Sequence, residues 1–155
     1  MPRSVVRGSF TITRTWKHAP ARVFEAFAKE EAKAKWFGGP GWKLIEKAFD
    51  FREGGHEMAE GQHAKGTISR FDCIYRDIVA PAAGEAGRII YSYVMHLDGR
   101  KISVSQATIE ITPEGAGTRL VVTEYGDFLD GYDDAGSREH GTNLLMDQLG
   151  KSLEN

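Results

Sequence analysis

The residue whose position most suggests chemistry is a glutamate inside an apolar strand pattern. Glu124 alternates with Leu120 and Val122 in the segment TRLVVTEY, so its carboxylate shares a strand face with aliphatic side chains. Burial at such a position raises the pKa of a carboxyl group unless a cation or hydrogen-bond donors offset it. Glu124 is therefore a candidate acid, base or polar anchor for a ligand. The alternative is structural: a solvated strand end, or an ion pair with an arginine such as Arg52.

The five histidines are the next candidates for acid–base or metal chemistry. His96 lies beside a predicted hairpin turn and is a second possible acid or base. His56 and His63 lie seven residues apart across another predicted hairpin, but the segment HEMAE has Glu60 where the zinc motif H-E-x-x-H has its second histidine. The sequence contains no Gly-rich phosphate loop and no nucleophile elbow. We therefore expect neither a metal site nor a cofactor.

A charged pair lies near the end of one predicted strand. Asp50 and Arg52 are two residues apart, hence on one strand face, and directly precede the turn at Gly54 and Gly55. The pair could grip a ligand, or it could be a structural ion pair that fixes the strand end, since charged neighbours on one face commonly stabilise sheets.

Composition excludes several classes of protein. Twenty basic and 22 acidic side chains leave a net charge of -2, and the basic residues are scattered, so a nucleic-acid partner is not expected. No segment approaches the roughly 18 apolar residues of a membrane helix, and the N-terminus has no apolar run of signal-peptide length. We expect a cytoplasmic protein without membrane insertion. The single cysteine, Cys73, excludes an internal disulfide and is expected to be a small buried hydrophobe.

Strand patterns dominate the elements that must position these residues. Two short helical segments, one beginning at Pro20 and one over residues 29–37, follow the first strand. The Asp98-Gly99 pair is the strongest hairpin signal, since a type I′ turn needs positive φ at both central residues. Seven strands are predicted, over residues 8–17, 42–51, 56–60, 67–79, 88–97, 101–111 and 118–125.

The chain closes with a predicted amphipathic helix over residues 137–153. Leu145, Leu149 and Leu153 recur at helical spacing and form an apolar stripe that must be buried against something. A curled antiparallel sheet is the obvious partner, and any space left between sheet and helix is a pocket. Leu144 and Gln148 are expected to widen the stripe; Arg138, Glu139, Asp147 and Lys151 are expected to face water.

Several of these segments together resemble a known family. They are APARVFEAF at 19–27, Trp36-Phe37, FDFREGG at 49–55, TEYGDFLDG at 123–131 and REHGTNLLMDQL at 138–149. The chain is similar, over essentially its whole length, to bacterial START-like proteins of the SRPBCC superfamily, in the subgroup named after the activator of the heat-shock protein 90 ATPase. The resemblance implies one α+β domain over residues 1–155 with a helix-grip fold. In that fold a seven-stranded curved antiparallel sheet wraps round a long C-terminal helix, with two short helices between strands 1 and 2.

The resemblance also implies an apolar cavity between the sheet and the C-terminal helix. The inward positions on two neighbouring strands carry aromatic and hydroxyl side chains, as most small-molecule cavities do. The same side chains could instead fill the core. A flexible lid is expected over residues 126–135. The expected ligand-binding residues are Trp36, Met58, Tyr91, Tyr93, Met95, Ser103, Ser105, Glu124, Phe128, Leu145 and Leu149.

Three functions are consistent with the sequence. The first is binding of a small hydrophobic or aromatic molecule, such as a lipid, in the cavity. The second is a cyclase or hydrolase type of enzyme that uses Glu124 or His96 there as acid or base. The third, which the family name implies, is an interaction module for a chaperone. Pairing into a homodimer through an edge strand or the helix face is also possible.

Overall fold

The computed structural model describes residues 3–154. The chain forms an α+β fold in which two short helices follow the first strand and a long helix follows the last. The elements are β1 (Val5–Trp16), α1 (Pro20–Ala28), α2 (Glu30–Lys33), β2 (Lys43–Phe49), β3 (His56–Gln62), β4 (Ile68–Val79), β5 (Gly87–Leu97), β6 (Arg100–Glu114), β7 (Gly117–Leu129) and α3 (Ala135–Leu153).

The seven strands form one curved antiparallel sheet in the order β1-β7-β6-β5-β4-β3-β2. Strands β2 to β7 are a simple meander, and β1 closes onto β7. Asp98 and Gly99 both have positive φ, 49° and 79°, as the predicted type I′ turn between β5 and β6 requires. Strand β4 has a bulge between Tyr75 and Asp77. The predicted fold class is therefore confirmed.

The two short helices bring aromatic side chains onto the sheet. Pro20 begins α1, where its missing N–H needs no partner. Helix α2 is a single turn, shorter than the predicted segment, and ordinary turns follow it. Trp36 is nevertheless buried after α2, and its indole Nε1 donates to the Ala26 carbonyl at 2.9 Å. This bond ties the segment after α2 to α1.

Helix α3 lies in the concave side of the sheet, against β1, β7 and α1. Asp134 caps its N-terminus, because its side chain accepts a hydrogen bond from the backbone N–H of Ser137 at 2.8 Å. Gly8 lets the helix approach β1 closely, since a Cβ there would lie 2.5 Å from the Cβ of Ala135. The buried positions of α3 are Thr142, Met146, Leu149, Ser152 and Leu153.

Two sequence expectations about this region are wrong. Leu144 is 52% exposed, so it does not widen the buried stripe; Met146 occupies that side instead. The predicted lid is also shorter than expected, because β7 continues through Leu129 and Phe128 is buried within it. Only the turn between Leu129 and Ala135 joins β7 to α3.

Candidate ligand-binding site

The candidate site is the concave face of β4 and β5 beneath α3. Directly opposed residues of antiparallel strands project to the same face, and the pairs Tyr93–Ser105 and Tyr91–Ala107 connect β5 with β6. Met95 likewise pairs with Ser103. The predicted shared face of these two strands is thus confirmed, and it faces the core.

Tyr91 lies at the centre of an aromatic cluster on this face. Its ring centroid is 5.9 Å from those of Phe71 and Tyr75 and 5.7 Å from that of Tyr93. Phe37 continues the cluster, 5.1 Å from Phe71, toward the helices. Tilted and edge-on contacts of this kind stabilise aromatic groups beyond the burial of their area. The cluster gives the concave face a largely apolar surface with phenol groups inside it.

One buried polar network surrounds Glu124, which is only 6% exposed. The Tyr93 hydroxyl donates a short hydrogen bond to its carboxylate. Arg138, from the first turns of α3, donates to the Tyr93 hydroxyl at 2.9 Å and to the Ser103 hydroxyl at 2.8 Å. Its other contact is Asp133, whose carboxylate accepts at 2.9 Å. The network joins β5, β6, β7 and the start of α3.

These contacts correct two expectations. Arg138 does not face water but turns inward, where its guanidinium also lies 5.3 Å from the ring of Phe128. It, and not Arg52, is the cation that acts on Glu124. Arg52 instead pairs with Asp50 at 3.0 Å on the surface, as the structural interpretation of that pair predicted.

Burial raises the pKa of Glu124 above its ordinary value. The hydrogen bond from Tyr93 and the charge of Arg138 oppose this effect without cancelling it. Burial, together with the charge of Glu124, also raises the pKa of Tyr93 and of Tyr91. The two phenols therefore keep their protons at neutral pH and act as hydrogen-bond donors.

The raised pKa of Glu124 predicts how the effect of its replacement on the free energy of unfolding changes with pH. Between the unfolded pKa of about 4.3 and the higher folded value, the folded state binds more protons than the unfolded state, so the free energy of unfolding falls as pH rises. Glu124→Gln removes this titration. We expect the variant to gain stability relative to the wild type as pH rises through this window. Urea denaturation at a series of pH values measures the difference; a constant offset between the two proteins would contradict the assignment.

A second buried network, which the sequence analysis missed, surrounds Glu57. Lys33 and Glu57 are each 5% exposed, and the Lys33 ammonium lies 2.7 Å from the Glu57 carboxylate. The Tyr75 hydroxyl donates to the same carboxylate oxygen. The ammonium also lies 4.4 Å from the Phe37 ring centroid, a cation–π contact. Lys33 belongs to a charged segment and Glu57 to a mixed one, so neither local pattern predicts burial.

Cys73 lies next to this second network. It is buried, as predicted, and burial raises the pKa of its thiol to about 12, although the Lys33 charge acts in the opposite direction. Its thiol is therefore protonated and unreactive at neutral pH.

Tyr91 differs from its two tyrosine neighbours, because its hydroxyl has no hydrogen-bond partner among residues 3–154. The hydroxyl is not fully enclosed. In residues 3–154 the side-chain polar atoms that are both fully enclosed and unpaired are His18 Nε2 and His96 Nδ1, and the Tyr91 hydroxyl is not among them. Tyr91, Met95 and Leu145 pack against the core and remain partly exposed. Each of them therefore keeps some surface that a small molecule or water can reach.

The remaining predicted site residues divide into two groups. Trp36, Phe128 and Leu149 are buried in the packed core. Met58 opposes Asp72 of β4 and lines a pocket together with Glu57. His96 opposes Arg70 of β4, at the point where the register of β5 against β6 shifts between Met95 and His96. The Nδ1 atom of His96 has no hydrogen-bond partner among residues 3–154, and a role for His96 as an acid or base stays a prediction.

Residues 3–154 contain neither a membrane-spanning helix nor a cluster of metal ligands. No helix among them is long and apolar enough to cross a membrane. No three His, Cys, Asp or Glu side chains within that range come together in a way that could hold a metal ion.

Comparison with known proteins identifies the family. Residues 17–154 match the family described as activator of Hsp90 ATPase homolog 1-like protein. No curated protein matches the chain. A crystal structure of the Mll3558 protein from Rhizobium loti is 40% identical, with a TM-score of 0.84, and the match covers 96% of this chain and 99% of that one.

Two further structures place the fold. An uncharacterized protein from Rhizobium leguminosarum is 39% identical with a TM-score of 0.90, and the match covers 99% of both chains. The AHSA1 protein from Silicibacter pomeroyi, only 16% identical, shares the fold with a TM-score of 0.74 over 95% of this chain and 98% of its own. The chain therefore belongs to the activator of Hsp90 ATPase homolog 1-like family, whose START-like fold is that of a ligand-binding domain.

Proposed function

We propose that this protein binds a small aromatic or otherwise apolar molecule between the sheet and α3. The observation that carries the proposal is the Tyr91 hydroxyl, a protonated donor without a partner in residues 3–154, inside an aromatic cluster. A hydroxyl that lies among aromatic side chains without a protein partner is unfavourable unless water or a ligand accepts its hydrogen bond. Tyr91 is therefore the polar anchor of the site.

The surroundings of Tyr91 define the chemistry of the ligand. Phe71, Met95 and Leu145 supply apolar contacts, and Met95 can adapt its shape to different ring systems. Glu124 and Glu57, the two nearby carboxylates, are already engaged by Tyr93 and Tyr75. Lys33 pairs with Glu57 and the charge of Arg138 acts on Glu124, so neither an anion nor a cation is favoured over a neutral molecule. We therefore propose a neutral molecule with an acceptor, such as a carbonyl or ether oxygen, for Tyr91.

A matched pair of ligands tests the anchor. 2-Acetylnaphthalene has a carbonyl oxygen, and 2-isopropenylnaphthalene replaces it with a methylene group of similar size. We expect Tyr91→Phe to weaken binding of the ketone by about 5- to 150-fold, equivalent to about 1–3 kcal/mol for an unsatisfied buried polar group. Affinity for the hydrocarbon should stay nearly constant. Isothermal titration calorimetry measures both.

The control for this experiment is Tyr125→Phe. It makes the same chemical change at a tyrosine that is 55% exposed and belongs to the opposite face of β7 from Glu124. The control should leave the affinity for both ligands unchanged. Equal affinities of wild type and Tyr91→Phe for the ketone would contradict the proposed anchor.

A second candidate function is proton-transfer catalysis on the bound molecule. The observation that favours it is Glu124, a buried carboxyl group with a raised pKa that lies within electrostatic reach of the Tyr91 hydroxyl. A carboxylate base beside a phenol donor suits proton abstraction next to a carbonyl group that the phenol polarises. Glu124→Gln would then abolish hydrogen–deuterium exchange at the α-carbon of a bound ketone while leaving ketone binding intact. Loss of stability without that effect would assign Glu124 a structural role.

The family description also points to a chaperone as a binding partner. Stimulation of the ATPase of purified heat-shock protein 90 by this protein would support an interaction module. Under the ligand-binding proposal, the ATPase rate is expected to stay at its basal value.

A further inference from the structure

A separate pocket opens at the far edge of the sheet, between α2 and strands β2 and β3. Its volume is about 270 Å³, close to the lower end of the range for small-molecule sites. The side chains of Phe37, Trp42 and Phe49 line it, together with the buried pair Lys33 and Glu57. We call it the edge pocket. It is distinct from the Tyr91 site, because none of the residues that border that site, Tyr91, Met95 and Leu145, lines the edge pocket.

Trp42 is a fixed wall of the edge pocket. A Cβ at Gly61 would lie 2.1 Å from the indole ring and one at Gly38 would lie 2.4 Å from it, so the ring occupies space that only two glycines leave open. The indole Nε1 also donates to the Ser69 hydroxyl at 3.1 Å. A large ring held in this way offers an apolar surface for a ligand without a large loss of side-chain entropy.

The polar end of the edge pocket is an incompletely bonded carboxylate. The contacts from Lys33 and Tyr75 both reach Oε1 of Glu57. Oε2 has no hydrogen-bond partner among residues 3–154. It is also not among the fully enclosed unpaired atoms of those residues, so it can be reached from outside. Glu57 therefore presents a free acceptor from a side chain that is only 6% exposed. The Lys33 ammonium is engaged by Glu57, Tyr75 and the Phe37 ring.

Charge in the edge pocket selects among possible ligands. Lys33 compensates Glu57 at the back of the pocket, and Lys47 lies 3.1 Å from Glu30 at its rim. The four charges cancel, so neither an anion nor a cation is attracted over a neutral molecule. An ionised carboxylate can only accept hydrogen bonds. Oε2 of Glu57 therefore needs a donor, and the pocket supplies none.

We propose that the edge pocket is a second binding site, which takes a small neutral aromatic molecule with a hydroxyl or N–H donor. The ring packs between Phe37, Trp42 and Phe49, and the donor bonds to Oε2 of Glu57. Such a bond to a charged acceptor is stronger than a neutral one. The site does not depend on the Tyr91 site, which favours an acceptor on its ligand and lacks Trp42.

The test uses 2-naphthol as the probe and the indole N–H signals of the three tryptophans as the readout. Single Trp→Phe variants assign the signals. We expect 2-naphthol to shift the Trp42 signal in a saturable way and to leave Trp16, which lies beside Gly150 of α3, unchanged. 2-Methoxynaphthalene, which has no donor, should bind at least about 10-fold more weakly, the loss of one charge-assisted hydrogen bond.

Two variants separate the edge pocket from the Tyr91 site. Ala34→Leu adds bulk at a residue that lines the pocket outside the buried network, and it should weaken 2-naphthol binding at least about 10-fold. Ala83→Leu makes the same change in an exposed loop and should have no effect. No Trp42 shift with 2-naphthol, equal affinity for the methoxy compound, or insensitivity to Ala34→Leu would each overturn the proposal. Binding that responds only to Tyr91→Phe would overturn it while supporting the Tyr91 site.

Discussion

Replacing Lys33 by methionine is expected to lower the free energy of unfolding by about 3–5 kcal/mol. The change leaves Glu57 as an uncompensated charge in a site where both side chains are more than 90% buried. Methionine keeps most of the length of the side chain, so the effect reports mainly the lost charge, including its cation–π contact with Phe37, and not a large cavity. Urea denaturation of both proteins measures it.

A rescue variant distinguishes this effect from general damage. Adding Glu57→Gln to Lys33→Met removes the buried charge and keeps a carbonyl oxygen for the Tyr75 hydroxyl. The double variant should recover most of the lost stability, since neutral replacements for a buried ion pair are often tolerated. A cost below about 1 kcal/mol for Lys33→Met, the range of exposed ion pairs, would contradict the buried network.

Leu149→Ala is expected to cost about 2–5 kcal/mol. Leu149 is fully buried on α3, and its truncation removes apolar contact and leaves a cavity against the sheet. For a chain of this length each kcal/mol lowers the midpoint of thermal unfolding by roughly 2–4 °C. Calorimetry at one pH measures the shift.

Leu144→Ala is the matched control on the same helix. Leu144 is more than half exposed, so its truncation should change stability by no more than about 0.5 kcal/mol. The sequence alone predicts that both leucines face the sheet. Equal costs for the two variants would therefore mean that α3 is rotated from the orientation that buries Leu149 and exposes Leu144.

The sequence predicts the fold well because strand and helix periodicities are local signals. Alternation along 88–97 and 101–111, with Asp98-Gly99 between them, determines both the hairpin and the face that Tyr91 shares with Ala107. The sequence predicts the orientation of α3 on the sheet less well than it predicts the strands. Leu144 and Leu145 are adjacent, and periodicity alone does not show which of them faces the core; that depends on how α3 crosses β1 and β7.

The polar part of the site could not be predicted because it depends on pairs distant in the chain. Its helix position alone predicts that Arg138 faces solvent. In the fold, however, it contacts Tyr93 of β5 and Ser103 of β6, which are 45 and 35 residues away in the sequence. Lys33 and Glu57 are 24 residues apart, and each alone is an ordinary surface charge. Glu124 is the exception, since its alternation with Leu120 and Val122 already indicates burial, which the structure confirms.

Native mass spectrometry of the freshly purified protein tests the ligand-binding proposal most directly. The experiment compares the wild type with Met95→Trp, which enlarges a partly exposed side chain beside the Tyr91 site. We predict a small neutral molecule bound one-to-one in the wild type and absent from the variant, with the same circular dichroism spectrum for both. A bare mass for the wild type, or equal occupancy in both proteins, would contradict a ligand site at Tyr91.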